Sequence, residues 1–166
     1  MGDGTAIGWQ EATARLTAEK ERAEAATRIV KRFGDPADRA SAEITYAEGK
    51  AESDAVVAAL AVALAQREPP ESLESLQQRL ARALAARETL TELARDQIEA
   101  AAAREGAKDL DWAAVTAVAA NLLPALQAAV AALWNRREEA DALTRKTIET
   151  QLQAARWADF ASLEAP

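Results

Sequence analysis

The sequence predicts an all-α protein, an elongated antiparallel bundle of four to five long, alanine-rich helices. Three observations predict this class. Alanine accounts for 45 of the 166 residues, and helix-forming residues fill almost every stretch between a few glycines and prolines. No stretch alternates polar and apolar residues for long enough to form a strand. The intervals between these breakers, about 25–35 residues each, are typical of the long helices of bundles.

The first helix is predicted over residues 9–33, after a flexible segment of residues 1–8. Gly34 is positioned to adopt the left-handed conformation that commonly ends a helix. Asp35 is expected to cap the next helix, because Pro36 suits a first helical position. Such a short connection predicts that these two helices are antiparallel neighbours.

The second helix is predicted over residues 36–67. Pro69 and Pro70 stop it, because neither can continue a helix. Residues 55–65 are apolar on every side of this helix. Since that run is too short to span a bilayer, it favours a helix at the centre of the bundle.

The third helix is predicted over residues 71–105, with Gly106 after its end. Its apolar residues recur at the spacing of one buried face: Leu73, Leu76, Leu80, Leu84, Leu90, Leu93 and Ile98. Arg87 interrupts this face at a position where another leucine is expected. The pattern therefore predicts a long amphipathic helix with one charged interruption.

Two further helices are predicted over residues 111–121 and 124–157, with a kink or break near Pro124. Residues 112–134 carry no charge and are numerous enough to span a membrane. Their many alanines, together with the polar residues and the proline among them, cancel most of the gain from insertion. A buried, kinked helix is the preferred interpretation, and all of residues 9–166 are assigned to one bundle domain.

Charge argues against a nucleic-acid partner. The chain has 20 basic and 27 acidic residues, a net charge of −7. Nucleic-acid binding needs a concentrated basic surface, and the best candidate is Arg28, Lys31 and Arg32 at the end of the first helix. A basic last turn is explained by compensation of the helix dipole. No signal peptide is visible, so a cytoplasmic location is expected.

The chain has no histidine and no cysteine, which excludes Ser-His-Asp triads, cysteine nucleophiles and zinc fingers formed by its own residues. Glu48 and Glu52 share a helix face and could contribute to a carboxylate site, but a solvated face is the preferred interpretation. Tyr46 and Lys50 have the spacing of an acid–base pair, without the glycine-rich loop that would support one. We therefore expect no catalytic residues, no metal site and no cofactor.

The four tryptophans are the remaining candidates for function. Packing at helix ends is their preferred role, and recognition of a partner is the alternative. The candidate partner-binding residues are Trp134, Arg137, Asp141, Trp157 and Phe160. A second hypothesis is a site for a small apolar molecule between helices, formed by Trp112, Leu126 and Trp134.

Together these patterns indicate a non-catalytic helical interaction or scaffold module. It would act through apolar helix–helix contacts, either with a second copy of itself or with a partner protein. A ligand-binding bundle is the alternative. An enzyme that uses only carboxylates has no supporting motif.

Overall fold

The computed structural model describes residues 9–66, 72–105 and 142–163. Those residues are all-helical and contain no strand, which confirms the predicted all-α class. The helices are α1 (Trp9–Phe33), α2 (Pro36–Gln66), α3 (Leu73–Glu105) and α4 (Ala142–Ala154), followed by a short 3-10 helix, Phe160–Ser162. The predicted helix of residues 111–121 and the kink at Pro124 lie outside the described residues.

The first three helices begin and end close to the glycines and prolines that were predicted to interrupt them. α1, α2 and α3 begin and end within two residues of their predicted bounds, whereas α4 ends at Ala154, before the predicted position 157. Ser72 precedes α3, and its hydroxyl accepts a hydrogen bond from the Ser75 N–H at 3.1 Å. This is the usual geometry of a serine N-cap, and it fixes the start of α3.

The turn between α1 and α2 confirms one prediction and corrects another. Asp35 caps α2, since its Oδ1 accepts a hydrogen bond from the Asp38 N–H at 2.8 Å. Gly34 does not adopt the left-handed conformation that the sequence suggested. Its N–H instead donates to the Val30 carbonyl oxygen at 2.7 Å, and a Cβ at Gly34 would lie only 2.5 Å from that oxygen. Glycine is required here by space rather than by a positive φ.

The four helices pack with α3 and α4 each lying along both α1 and α2. α1 and α3 run in one direction and α2 in the other, as the short first connection predicts. α4 and the residues after it run parallel to α1. Leu16 shares a cluster with Ile148 of α4, Lys20 in the middle of α1 donates to the Ala154 carbonyl oxygen at 3.1 Å, and Lys31 near the end of α1 donates to the Phe160 carbonyl oxygen at 3.1 Å. In the described part of the bundle α2 is therefore antiparallel to α1 and to α3, and α4 is the parallel neighbour of α1.

The core consists of two apolar clusters that follow one another along the helices. The first is formed by Leu16, Val56, Val57, Ala59, Leu60, Ala63, Leu64, Leu76, Leu80, Leu84, Ile148, Leu152 and Ala155. The second is formed by Ala23, Ala25, Ala26, Ile29, Val30, Ala42, Tyr46, Leu90, Ala94, Trp157 and Leu163, with Phe33, Leu93 and Ile98 partly buried beside them. The predicted leucine face of α3 thus lies in both clusters.

A buried ion pair lies between the two clusters. Arg87 of α3 is 0% exposed, and its Nε lies 2.8 Å from Oε2 of Glu19, which is 3% exposed. A second nitrogen of Arg87 lies 2.7 Å from a carboxylate oxygen of the partly exposed Glu88, and buried Arg22 lies 3.9 Å from Glu19. The arginine that interrupts the leucine face is therefore inside the protein rather than at its surface.

The apolar run of residues 55–65 is largely buried where the structure describes it. Val56, Val57 and Leu60 are buried, whereas Val62 is 37% exposed. α2 contacts each of the other three described helices. The face of α2 that carries Val62 is left open in the described structure.

Breaking the buried ion pair should be strongly destabilising. Arg87→Leu leaves the Glu19 carboxylate buried without its main partner, and we expect a loss of about 3–5 kcal/mol in the free energy of unfolding. The double variant Glu19→Leu/Arg87→Leu should lose much less than the sum of the two single variants. Arg82→Leu is the matched control, since Arg82 is on the same helix but is 56% exposed and paired at the surface; its expected cost is about 0–1 kcal/mol. The free energies of unfolding are measured by urea denaturation. A double variant whose loss equals the sum of the two single losses would contradict this role of the pair.

The pH dependence of stability should carry a signature of Glu19. Burial raises the pKa of Glu19 above its ordinary value of 4.5, although Arg87 and Arg22 oppose the shift. A carboxyl group whose pKa rises on folding binds its proton more tightly in the folded chain. Its contribution to stability therefore falls as the pH rises from 4.5 through the raised pKa. Urea denaturation at a series of pH values should show the wild type losing stability relative to Glu19→Gln over this interval, and the opposite trend would contradict the assignment.

Candidate interaction site

The chain after α4 folds back onto α1 and α2. Residues 155–163, which we call the docked segment, leave the helix in a turn and continue without regular secondary structure to the short 3-10 helix, with Asp159 in an extended conformation. Trp157 is the main anchor of this segment and is 6% exposed. Its ring lies against Gly49 of α2, where a Cβ would come within 2.7 Å of the ring and 2.8 Å of the Ala86 Cβ. The absence of a side chain at Gly49 therefore makes room for the tryptophan.

Aromatic contacts continue from Trp157 along the docked segment. The ring of Tyr46 lies 5.1 Å from that of Trp157 and 5.9 Å from that of Phe160, the latter edge to face. Such contacts are favourable beyond the burial of their area. Tyr46 itself is fully buried, and its hydroxyl donates to the Ala158 carbonyl oxygen at 2.7 Å. Burial raises the pKa of Tyr46 well above its ordinary value, with Glu24 contributing to the shift, so this phenol acts as a donor.

Charged side chains hold the backbone of the docked segment. The Trp157 N–H donates to Asp54 at 3.3 Å, and the Ala158 N–H donates to Glu24 at 3.0 Å. Lys31 donates to the carbonyl oxygens of Phe160, at 3.1 Å, and of Leu163, and its Nζ lies 4.7 Å from the centre of the Phe160 ring. We call the five residues that receive the segment the cradle: Glu24, Lys31, Tyr46, Gly49 and Asp54.

The opposite, outward face of α2 carries a continuous apolar stripe. Its members recur every three or four residues and are exposed or half-buried: Ala37, Ala40, Ile44, Ala47, Ala51, Ala55, Ala58 and Val62. We call them the outer stripe. Ile44 is 62% exposed and Val62 is 37% exposed. A solvated helix face usually carries charged side chains, so this face has the composition of a contact surface.

A groove of about 510 Å³ borders the outer stripe between α2 and α3. Three of its lining residues are alanines, Ala51, Ala85 and Ala86, and the others are Thr45, Glu48, Glu52, Arg82 and Thr89. Glu52 is held by Arg79 at 3.1 Å and by Arg82 at 2.8 Å. The hydrogen bond from Arg82 lowers the pKa of Glu52, with a further contribution from Arg79.

The predicted carboxylate pair is thereby divided into two different environments. Glu52 has two arginine partners, whereas no ion pair joins Glu48 to any residue in the parts of the chain that the structure describes. Lys50, on the other side of α2, pairs with Asp54 at 2.9 Å, and that hydrogen bond raises the pKa of Lys50. Tyr46 and Lys50 are therefore both engaged in contacts of the docked segment and its cradle, not with each other.

The structure describes two of the predicted partner-binding residues. Trp157 lies inside the protein's own core rather than on a surface, because Gly49 leaves space for its ring; Phe160 is half-buried beside it. The remaining candidates, Trp134, Arg137 and Asp141, and the alternative ligand-binding residues, Trp112, Leu126 and Trp134, lie outside the described residues.

Sequence reasoning missed most of the cradle. Lys31 was explained by the helix dipole, and Gly49 was not singled out. An isolated glycine inside an otherwise strong helix usually has a packing reason, and that signal pointed to Gly49. Nothing local to the sequence connects Lys31 or Glu24 with a segment more than 100 residues away.

Comparison with known proteins gives no relative for this chain. No protein family model, no curated protein and no solved structure matches it. Among the residues that the structure describes, no group of three or more side chains is placed to hold a metal ion. Within the same residues, no helix combines the length and the apolar character needed to cross a membrane.

Gly49 is the most direct test of how the docked segment packs. Gly49→Ala should destabilise the protein, because the added methyl group meets the Trp157 ring and Ala86. We expect a net loss of about 1–3 kcal/mol from overpacking, although alanine is favoured over glycine within a helix by about 1 kcal/mol.

Ala47→Gly, on the exposed face of the same helix, is the matched control. It should lose about 0.5–1 kcal/mol through helix propensity alone. Both variants are compared by urea denaturation and by the near-ultraviolet circular dichroism of the aromatic side chains. A Gly49→Ala variant that is more stable than the wild type would show that the ring does not pack against this position.

Proposed function

We propose that this protein is a non-catalytic interaction module that binds a basic amphipathic helix of a partner protein along the outer stripe of α2. The observation that carries the proposal is the exposure of Ile44, 62%, within a stripe that has apolar residues at every turn from Ala37 to Val62. At 1.5 Å per residue this stripe is about 38 Å long. An amphipathic helix binds such a surface through its own apolar face.

The small side chains of the stripe and groove suit a helix as the occupant. Ala47 and Ala51 let another backbone approach closely, and Ala85 and Ala86 are among the residues that line the groove beside them. Ile44 then supplies the large apolar contact. Burying one isoleucine side chain contributes about 1.5–3 kcal/mol, which makes Ile44 the expected centre of binding energy.

Charge favours a basic partner over a second copy of this chain. Glu43 and Glu48 flank Ile44, and neither forms an ion pair with another described residue. A partner helix with lysine or arginine beside its apolar face would neutralise them. A second copy would instead place the same acidic residues, and a net charge of −7, opposite themselves. Like charges across an interface disfavour association.

The absence of catalysis is part of the proposal and rests on chemistry. The chain has no histidine and no cysteine. Glu19, the most buried carboxylate among the residues that the structure describes, is paired with Arg87, and Glu52 is held by two arginines. These groups are engaged in internal contacts and leave the outer stripe as the surface best suited to a partner.

Two designed peptides test the proposal. Each has about 20 residues, long enough to cover about 30 Å as a helix, with leucine and alanine on one face. One carries lysine beside that face and the other carries glutamate. We expect the lysine peptide to bind in fluorescence anisotropy, at least tenfold tighter than the glutamate peptide, and to weaken as salt is added.

Ile44→Glu should weaken binding of the lysine peptide by at least tenfold, which corresponds to about 1.4 kcal/mol. Leu143→Glu is the matched control, since Leu143 is 76% exposed on α4 and distant in sequence from the stripe; its affinity should equal that of the wild type. Equal binding by both peptides, or an Ile44→Glu variant with unchanged affinity, would overturn the proposal. A mass that doubles with concentration in light scattering, and that Ile44→Glu returns to the monomer, would assign the stripe to a second copy instead.

A further inference from the structure

The docked segment is held in the manner of a bound peptide. No α-helix or strand includes residues 155–163, and side chains of α1 and α2 satisfy much of their backbone. Ala158 illustrates this: its N–H donates to Glu24 at 3.0 Å and its carbonyl oxygen accepts from Tyr46 at 2.7 Å. Both backbone polar groups of this one residue are thus bound by side chains from two different helices.

The remaining backbone contacts extend this pattern in both directions. Asp54 accepts from the Trp157 N–H at 3.3 Å, before Ala158. Lys31 donates to the carbonyl oxygens of Phe160 and Leu163, after it. Such contacts recognise a main chain and depend little on the side chains that the chain carries. Recognition sites for extended peptides commonly gain affinity from main-chain hydrogen bonds and specificity from side-chain pockets.

Three apolar side chains of the segment provide the specificity. Trp157, Phe160 and Leu163 follow one another at intervals of three residues, and all three belong to or pack against the second core cluster. Trp157 enters the space above Gly49, and Phe160 lies between Tyr46 and Lys31. The residues between these anchors are small or polar: Ala158 and Asp159, then Ala161 and Ser162.

We propose that the cradle is a peptide-recognition site for the pattern Trp-x2-Phe-x2-Leu, filled in this structure by the chain's own residues 155–163. A peptide with this pattern, supplied by another molecule, occupies the same site when the docked segment leaves it. The site lies on the inner side of α2, separate from the outer stripe, and does not depend on the function proposed for that stripe.

Competition with the docked segment sets the conditions of the test. A tethered ligand has an effective concentration of about 1 mM or more, so a free peptide competes poorly with the intact segment. Trp157→Ala in the full chain removes the main anchor and leaves the space above Gly49 open. The probe is a fluorescent peptide with the sequence of residues 155–163, and the readout is anisotropy.

We expect saturable binding of this peptide to Trp157→Ala, together with a rise in the melting temperature of the variant as peptide is added. A peptide with alanine in place of tryptophan should bind at least tenfold more weakly. Adding Gly49→Val to the variant should abolish binding, because the valine side chain fills the space of the ring. Adding Ile44→Glu should leave binding unchanged, which distinguishes this site from the outer stripe.

A second measurement keeps the proposal testable if Trp157→Ala does not fold. The chain has no cysteine, so Ser162→Cys, at an exposed position of the docked segment, accepts a single fluorophore in the otherwise wild-type protein. Unlabelled peptide at millimolar concentration should displace the segment and lower the anisotropy of the label, while the alanine peptide should not. A folded Trp157→Ala variant that binds no peptide, or a label that never responds to the peptide, would overturn the proposal.

Discussion

The ring of Trp157 occupies the space that a side chain at position 49 would otherwise fill, and the second half of the core is arranged around this contact. Gly49 brings α2 close to Ala86 of α3 and at the same time receives the ring. Tyr46, one turn away, then meets both Trp157 and Phe160. The packing of the docked segment, and with it the place of Trp157 in the second cluster, therefore depends on the absence of a Cβ at this one position.

Alanine side chains are small, so the helix faces of an alanine-rich chain do not fill its core by themselves. Alanine allows helices to approach closely but buries little area per residue. In this protein the volume comes from two unusual sources: an aromatic segment that follows α4 and is inserted between helices, and long charged side chains whose hydrocarbon stems are buried. Arg87 is the largest of the fully buried side chains, and its stem packs as apolar material while its guanidinium is paired. Because few large side chains are present to cover it, the outward face of α2 is open and apolar in the described structure.

The sequence was sufficient for features that depend on neighbouring residues. Asp35 caps α2 because its short side chain is a hydrogen-bond acceptor and Pro36 follows it at the first position of the helix. The leucines of α3 lie on one face because of their spacing. Features that depend on pairing between helices were not predictable. Lys31 is explained locally as a basic residue in the last turn of a helix, yet it binds the carbonyl oxygen of Phe160. The sequence offers both packing and partner recognition as roles for Trp157, and the space at Gly49 that receives its ring is formed only when the helices pack. Gly34 shows the limit even for local patterns: its position was correct, but it is needed for space rather than for a left-handed conformation.

The buried pair of Arg87 and Glu19 has a consequence for how the helices are aligned along their lengths. Apolar residues recur along the buried faces of α1 and α3, so a shift of one helix past the other by a turn, about 5.4 Å, would still place most apolar residues opposite apolar residues. The same shift would separate the Arg87 guanidinium from the Glu19 carboxylate and leave each buried charge only its partner on the same helix, Glu88 for Arg87 and Arg22 for Glu19, at a cost of several kcal/mol. The pair thus selects one register among several that the apolar side chains accept almost equally.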